Sequence, residues 1–205
     1  MTPVAALAAA LVAAYVIGSF PTAHLVGRAN GIDLRTVGSG NLGATNVFRT
    51  LGWRWGLLVY VVDGLKGALP VLWLPGMVGM GTGWPWGVLC GLAAILGHVR
   101  PVFLLGKGGG KGVATASGVF VALAPLPALC AVAAFVIVVA LTRYVSLGSL
   151  VGAAVLPVAL LVQQRAITPL VIVSVAVGGF VFWTHRDNIG RLRRGEERRV
   201  GGRTS

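Results

Sequence analysis

Acidic side chains are scarce in this chain: five Asp and Glu stand against seventeen Lys and Arg in 205 residues. So few carboxylates leave little from which to build a Ser-His-Asp triad, and no cluster with metal-ligand spacing is legible. Cysteine is as sparse. Cys90 and Cys130 lie in apolar surroundings and form no ligand pair. They read as small packing residues rather than as a disulfide framework. Charge of either sign is missing over long stretches: residues 1–27, 67–99, 112–142, 144–164 and 166–185 carry none. Only 11% of the residues are charged, against roughly 25% in a soluble domain, which excludes a soluble fold. The alternating ten-residue segments of a transmembrane barrel are lacking too.

What is present is apolar. The chain is 56% hydrophobic, with a mean hydropathy of +0.87. A membrane-spanning helix needs roughly 20 apolar residues, so the chain reads as an all-α, polytopic integral membrane protein. Spans are expected near 3–27, 57–76, 84–99, 144–163 and 167–184. The first run has no basic n-region and no small-x-small cleavage site, and is expected to be retained as a span.

The run 112–142 is too long for one untilted span and short for two. It contains Ala124-Pro125-Leu126-Pro127, and prolines there should end or sharply bend a helix. Arginine placement decides the number. With one span in this run the total is six, and the arginine-rich tail falls opposite Arg28, Arg35, Arg49, Arg54, Arg100, Lys107 and Lys111. With two spans the total is seven. All of those residues then share one face with Arg143 and the tail, and Arg165 alone lies on the other. The positive-inside rule favours seven transmembrane helices, amino terminus outside and carboxyl terminus cytoplasmic, the two middle helices being short or tilted. A single membrane-embedded domain over 1–205 is expected, with a flexible basic tail at 198–205. The net charge of +12 is then a matter of topology and of a lipid bilayer as partner, and no nucleic-acid partner is expected.

Three polar segments share the cytoplasmic face in this reading: GSGNLGATNVFR (38–49), GHVRPVFLLGKGGGKGVAT (97–115) and HRDNIGRLRRGEE (185–197). In the first, Gly38, Gly40 and Gly43 let the backbone turn successive N–H groups towards one point, an anion-binding nest. Asn41, Thr45 and Asn46 add polar groups, and the segment from Ala44 starts a helix whose N-terminus favours negative charge. Ser39 adds a hydroxyl, and Arg49 a fork that grips phosphate in two places. A flexible glycine loop with an interfacial arginine is the plainer alternative.

In the second, Gly108, Gly109, Gly110, Lys111 and Gly112, followed by Val, Ala and Thr115, resemble a phosphate loop in chemistry. The Walker A spacing is absent and no strand precedes the loop, so ATP does not follow. A pair of topology-setting lysines, Lys107 and Lys111, is the alternative. His98, at the end of a span, reads as a cap or a water ligand. In the third, His185 and Asn188 lie three apart on one helical face, with Arg191 roughly continuing it. The remaining tail arginines, Arg203 among them, suit anionic lipid. Asp63 and Lys66 lie within the second span at i, i+3. Intramembrane charges default to a functional reading, and mutual neutralisation as a structural pair stands beside it.

Over nearly its whole length the chain resembles the PlsY family of bacterial acyl-phosphate:glycerol-3-phosphate acyltransferases. The first family motif, GSGNxGATNxxR, is matched throughout 38–49. The second, similar to GHxxPvFxxFKGGKGVAT, is matched at Gly97, His98, Pro101, Phe103 and Gly109 to Thr115. The third, similar to RHxxNIxRLxxGxE, is matched at His185, Asn188, Ile189, Arg191, Leu192, Gly195 and Glu197. Asp63-Gly-Leu-Lys66-Gly67 also looks like the family. Two positions depart from it. The second motif holds one extra glycine, which displaces Lys107 and leaves Lys111 in register, and Thr184 stands where the third motif has arginine.

The resemblance implies transfer of a fatty acyl group from acyl phosphate to the 1-hydroxyl of glycerol 3-phosphate, giving lysophosphatidic acid and inorganic phosphate, in the bacterial plasma membrane. It implies that Ser39, Arg49, His185 and Asn188 bind and orient glycerol 3-phosphate. Lys111, with nearby glycine N–H groups, would bind the acyl phosphate and offset charge developing on the carbonyl oxygen and the leaving group. His185 or the acceptor's own phosphate would take the hydroxyl proton. Acyl phosphate is an activated donor, so no metal and no other cofactor is expected. A transporter of organic phosphates would also want arginines, glycine turns and intramembrane charge, but the polar motifs cluster on one face, and no interrupted helix pair appears in corresponding halves. An acyltransferase paralogue with another acceptor is a further alternative. A soluble-donor acyltransferase would carry an HxxxxD motif, which is absent. Chain-length preference and oligomeric state leave no mark on the sequence.

Overall fold

Prolines and small residues set where the helices of this chain begin, break and touch. A computed structural model describes residues 2–81 and 84–201; the last four residues of the expected tail, Arg203 among them, lie outside these. Among the described residues the structure is helical throughout. By compactness it divides into two units, Met1–Leu123 and Ala124–Ser205.

The first unit begins with α1, Pro3–Gly18, capped by Thr2. Pro21 interrupts the run, because proline has no N–H to continue the ladder. The chain resumes as α2, Thr22–Ala29, so the expected first span is two helices rather than one. A loop leads to α3, Ala44–Leu51, then α4, Trp53–Met77, and α5, Trp84–Val99. A 3₁₀ turn at Val102–Leu104 and the glycine-rich loop lead into α6, Val113–Leu123. Pro70 and Pro75 lie inside α4 without ending it, as membrane helices tolerate when neighbours satisfy the freed backbone.

Glycines make the close contacts. Gly18 of α1 lies against the backbone of Ala94 in α5, and Gly97 of α5 against Tyr15 O of α1. Gly67 of α4 faces Thr115 O of α6, and Gly118 of α6 faces Gly64 O of α4. A methyl group at any of these four would strike backbone. This small-residue packing suits helices that gain little from burying apolar surface in lipid.

The second unit holds α7, Pro125–Thr142, α8, Val145–Gln164, α9, Pro169–Thr184, and α10, Arg186–Arg193. Arg143 and Arg165 end α7 and α8 in the left-handed region, at φ 63° and 53°. The prolines at 125 and 127 start α7 directly after α6, so run 112–142 is two helices, as its composition suggests. α9 and α10 meet at His185 with a bend of 61°.

Five segments are long and apolar enough to cross a membrane: Pro3–Ala29, Trp53–Met77, Trp84–Leu104, Pro125–Thr142 and Val145–Gln164. The bent α9–α10 pair makes a sixth if taken as one span. α6 has 11 residues, roughly 16 Å at helical rise, short of the ~30 Å hydrocarbon core. The burial pattern is that of a protein in lipid. Large side chains such as Val12, Leu72, Trp73, Val162 and Ile172 point outward, while Ala10, Ala14, Cys90 and Ala94 fill the interior beside Thr22, Asp63, Lys66 and His98.

Candidate active site

The loop before α3 is organised by one amide. Asn46, 2% exposed, accepts from Ser39 N–H at 2.9 Å through Oδ1 and donates to Leu34 O at 3.0 Å and Val37 O at 3.2 Å through Nδ2. Gly38 (φ +62°) passes so close to Oδ1 that a side chain there would displace it, and Gly40 (φ +69°) completes the turn. Asn46, a candidate substrate ligand by sequence, is thus committed to holding the loop. Ser39 is left on the exposed surface, while Gly43, Thr45 and Arg49 are half-buried. Just upstream, Asp33 pairs with the exposed Arg35 at 2.7 Å, and the hydrogen bonds from Arg35 hold the Asp33 carboxyl well below the usual carboxylate range.

The second loop lies on the end of α5. Tyr15 O–H donates to Arg100 O at 2.6 Å. Gly106 and Gly108 (both φ +72°) and Gly112 (φ +86°) turn the chain. Gly109 sits against the His98 and Val99 carbonyls, and Gly110 against the His98 ring. Gly110 N–H donates to His98 O at 3.3 Å. From the other side, Asn41 donates to Gly109 O at 3.2 Å, so the first and second motifs are bonded to each other. Lys107 is exposed and Lys111 half-buried. Thr115 is fully buried on α6, in the seam with α4, and its Oγ1 has no partner among the described residues.

Beneath these loops lies a buried polar network. Lys66 Nζ is 2.8 Å from Asp63 Oδ1 and donates to Phe20 O at 2.8 Å. That carbonyl lies at the break before Pro21 and also accepts from Thr22 N–H at 3.0 Å. Thr22 donates to Asp63 Oδ1 at 3.0 Å, and His98 Nδ1 stands 3.9 Å from Asp63 Oδ2. All four residues are at most 6% exposed. A narrow cleft reaches them, lined by Phe20, Leu42, Asp63, Lys66, His98 and the backbone of Gly108–Gly110. Asp63 and Lys66 therefore pair directly. Neither Thr22 nor the Phe20 carbonyl has a role legible in the sequence, and His98 reads there as a cap or a water ligand; the one available signal was Pro21 inside an apolar run.

In the second unit, His185 joins α9 to α10 and is 4% exposed. Its Nδ1 is 2.8 Å from Val181 O. A carbonyl only accepts, so Nδ1 carries the hydrogen and Nε2 is the basic nitrogen of the neutral ring. Asn188, 6% exposed, donates to Glu197 Oε1 at 2.8 Å; Ser146 donates to the same oxygen at 2.9 Å and Arg191 Nε to Oε2 at 2.8 Å. Burial is the largest single influence on the Glu197 carboxyl and pushes its pKa up, but the bonds from Asn188, Arg191 and Ser146 together outweigh it and leave it lowered. Glu197 matched a motif position without being given a task; an acid within an arginine-rich tail was the available signal. Arg199 stacks on Tyr144 at 5.0 Å, and Val200 N–H donates to Arg143 O at 2.9 Å, so the start of the expected flexible tail is tied to the α7–α8 turn.

Each unit thus gathers its own candidate residues: Asn41, Asp63, Lys66, Gly109 and Gly110 around His98, and His185 with Asn188 beside Glu197. The glycerol-3-phosphate acyltransferase family model matches residues 8–195. A glycerol-3-phosphate acyltransferase of Trichlorobacter lovleyi is 50% identical over 187 residues, covering 90% of this chain and 92% of the relative. That of Geobacter sulfurreducens is 48% identical, covering 91% and 93%. A crystal structure of PlsY, described as an integral membrane glycerol 3-phosphate acyltransferase in its glycerol 3-phosphate form, is similar with a TM-score of 0.86 at 38% identity, over 95% of this chain and 96% of that one. The lysophosphatidic acid form of PlsY gives 0.84 at 36%, over 95% of each.

Proposed function

This chain belongs to the glycerol-3-phosphate acyltransferase family, and from that premise we propose that it acylates the 1-hydroxyl of glycerol 3-phosphate with acyl phosphate as donor. The products would be lysophosphatidic acid and inorganic phosphate, in the first committed step of phospholipid synthesis. The acceptor oxygen attacks the acyl carbonyl carbon, the bond from that carbon to the phosphate oxygen breaks, and phosphate leaves. The hydroxyl proton goes to His185 Nε2 or to the acceptor's own phosphate. The similar solved structures in glycerol 3-phosphate and lysophosphatidic acid forms support this acceptor and this product.

The observation that carries the donor is the bond from Asn41 to Gly109 O. It joins two glycine-rich loops, each suited to a phosphate, and a reaction between two phosphate-bearing substrates needs both. Ser39, Arg49, His185 and Asn188 are assigned to the acceptor. Lys111, with the loop N–H groups, is assigned to the donor phosphate and to charge developing at the carbonyl oxygen. Much of the rate would come from positioning. Seven spans, with α6 as a short one, put the amino terminus outside, the carboxyl terminus and the three motifs at the cytoplasmic face, and the protein in the plasma membrane.

The test is direct. Purified protein in lipid mesophase, given palmitoyl phosphate and glycerol 3-phosphate, is expected to release phosphate and lysophosphatidic acid one for one, with palmitoyl-CoA inert. Arg49→Ala and His185→Ala are expected to abolish turnover in folded protein. Product formed equally well from palmitoyl-CoA would overturn the donor, and near-normal turnover by Arg49→Ala would overturn the phosphate clamp.

A further inference from the structure

The buried network below the glycine loop contains no group that the proposed chemistry uses directly, yet it touches the segment that carries Lys111. Gly109 and Gly110 fit between two surfaces. On one side is Asn41 of the first motif, bonded to Gly109 O. On the other are the last carbonyls of α5 and the His98 ring, where a methyl on Gly110 would collide with Nε2. The ring is itself backed by Asp63, 3.9 Å from Nδ1. Asp63 is fixed by Lys66 and Thr22, and Lys66 by its bond to the Phe20 carbonyl at the Pro21 break. A chain of contacts therefore runs from the break in the first span, through four buried side chains, to the backbone one residue before Lys111.

We propose that His98, backed by the Asp63–Lys66–Thr22 network, is a positioning residue that fixes the height and direction of the Gly109–Lys111 backbone, and so sets how tightly the loop holds the donor's phosphate. His98 acts through its contact with the loop backbone. Its imidazole is a flat, rigid floor, and glycine at 110 is what lets the backbone lie on it. The network's buried charges serve this geometry: Asp63 holds the ring on one face, and Lys66 keeps Asp63 from being an uncompensated carboxylate in the membrane. The inference rests on the acyl-phosphate reading for its substrate and on the structure for the contact.

Because positioning enters the rate steeply, with a 1 Å displacement costing on the order of 10²-fold, the loop's floor has a measurable signature. His98→Ala in the full-length protein is expected to raise KM for palmitoyl phosphate about tenfold or more, with KM for glycerol 3-phosphate changed less than about twofold. His98→Gln, which keeps a planar amide over Gly110, is expected to recover part of the loss. Hydrogen exchange of the protein without substrate is expected to quicken several-fold at residues 108–112 and to stay unchanged in α8 and α9. Gly110→Ala is expected to mimic His98→Ala, and the double variant to be better than Gly110→Ala alone, because removing the ring makes room for the methyl.

Equal losses for both substrates, or unchanged exchange at 108–112 in a folded His98→Ala protein, would overturn the proposal. If His98→Ala does not fold, Gly110→Ala and the double variant decide: no recovery in the double variant overturns it. A wild-type protein inert towards palmitoyl phosphate would instead sink the donor assignment, and the exchange measurement would still decide the loop contact.

Discussion

Asn46 shows how one side chain can determine a motif's shape. Its single amide answers three backbone groups where the loop turns into α3: Ser39 N–H, Leu34 O and Val37 O, the last of which also accepts from Gly40 N–H. Asn46→Ala strands Ser39 N–H and Leu34 O, and leaving a buried backbone group unpaired costs about 1–3 kcal/mol. A drop of that size in unfolding free energy is expected, together with a larger loss of turnover, since Ser39 and Gly38 move with the loop. Thermal unfolding and initial rates measured side by side check both. Glu197 makes a pH prediction. Its folded pKa is lowered, so its contribution is fully present above the unfolded value of about 4.3 and is lost as pH falls through the folded value. The wild type is expected to lose stability on acidification below about pH 4.3. Glu197→Gln is expected to be less stable at neutral pH and to lack that part of the acid dependence, as urea or thermal midpoints measured across pH will show.

At the scale of the helix, the uncharged runs predict α5, α8 and α9 to within a few residues, because in lipid an uninterrupted apolar run has little choice but helix, and α4 follows from a span that is apolar around Asp63 and Lys66. Proline placed the start of α7 correctly for the same backbone reason. The same rule, read too loosely, missed the break at Pro21, because proline in an apolar run either kinks a span or passes through it, as Pro70, Pro75 and Pro157 do. Which of these happens depends on neighbours, here Lys66 waiting for the Phe20 carbonyl. The phosphate-type loops were legible from glycine and lysine; the floor under them was not, since Thr22, the Asp63–Lys66 pair and His98 are far apart in the sequence. The use of Asn188 was hidden likewise, its partner Glu197 lying beyond the end of α10. Helix α6 makes an element-scale prediction. Gly118 meets Gly64 O of α4 with no room for a side chain. Gly118→Val is expected to lower stability by about 1–3 kcal/mol and to depress turnover with it, and a thermal midpoint equal to wild type would argue against this seam as a fixed contact.

For the whole molecule, topology is the open quantity that arginine counting addresses. With seven spans, Arg143→Cys and Arg165→Cys should label from opposite faces of intact cells, the second by an impermeant reagent added outside; labelling of both from the same side would rule out the proposed arrangement. The pair in α4 bears on how such a chain reaches its membrane at all. A lone Asp or Lys at the middle of an inserting helix is penalised by about 2.5–3.5 kcal/mol. Asp63 and Lys66 sit one turn apart on the same helix, so they can neutralise each other while that helix is still leaving the translocon, without waiting for the segments that follow it. The polar heart of the enzyme thus travels into the bilayer as a prefabricated neutral unit, and the rest of the first unit assembles around it.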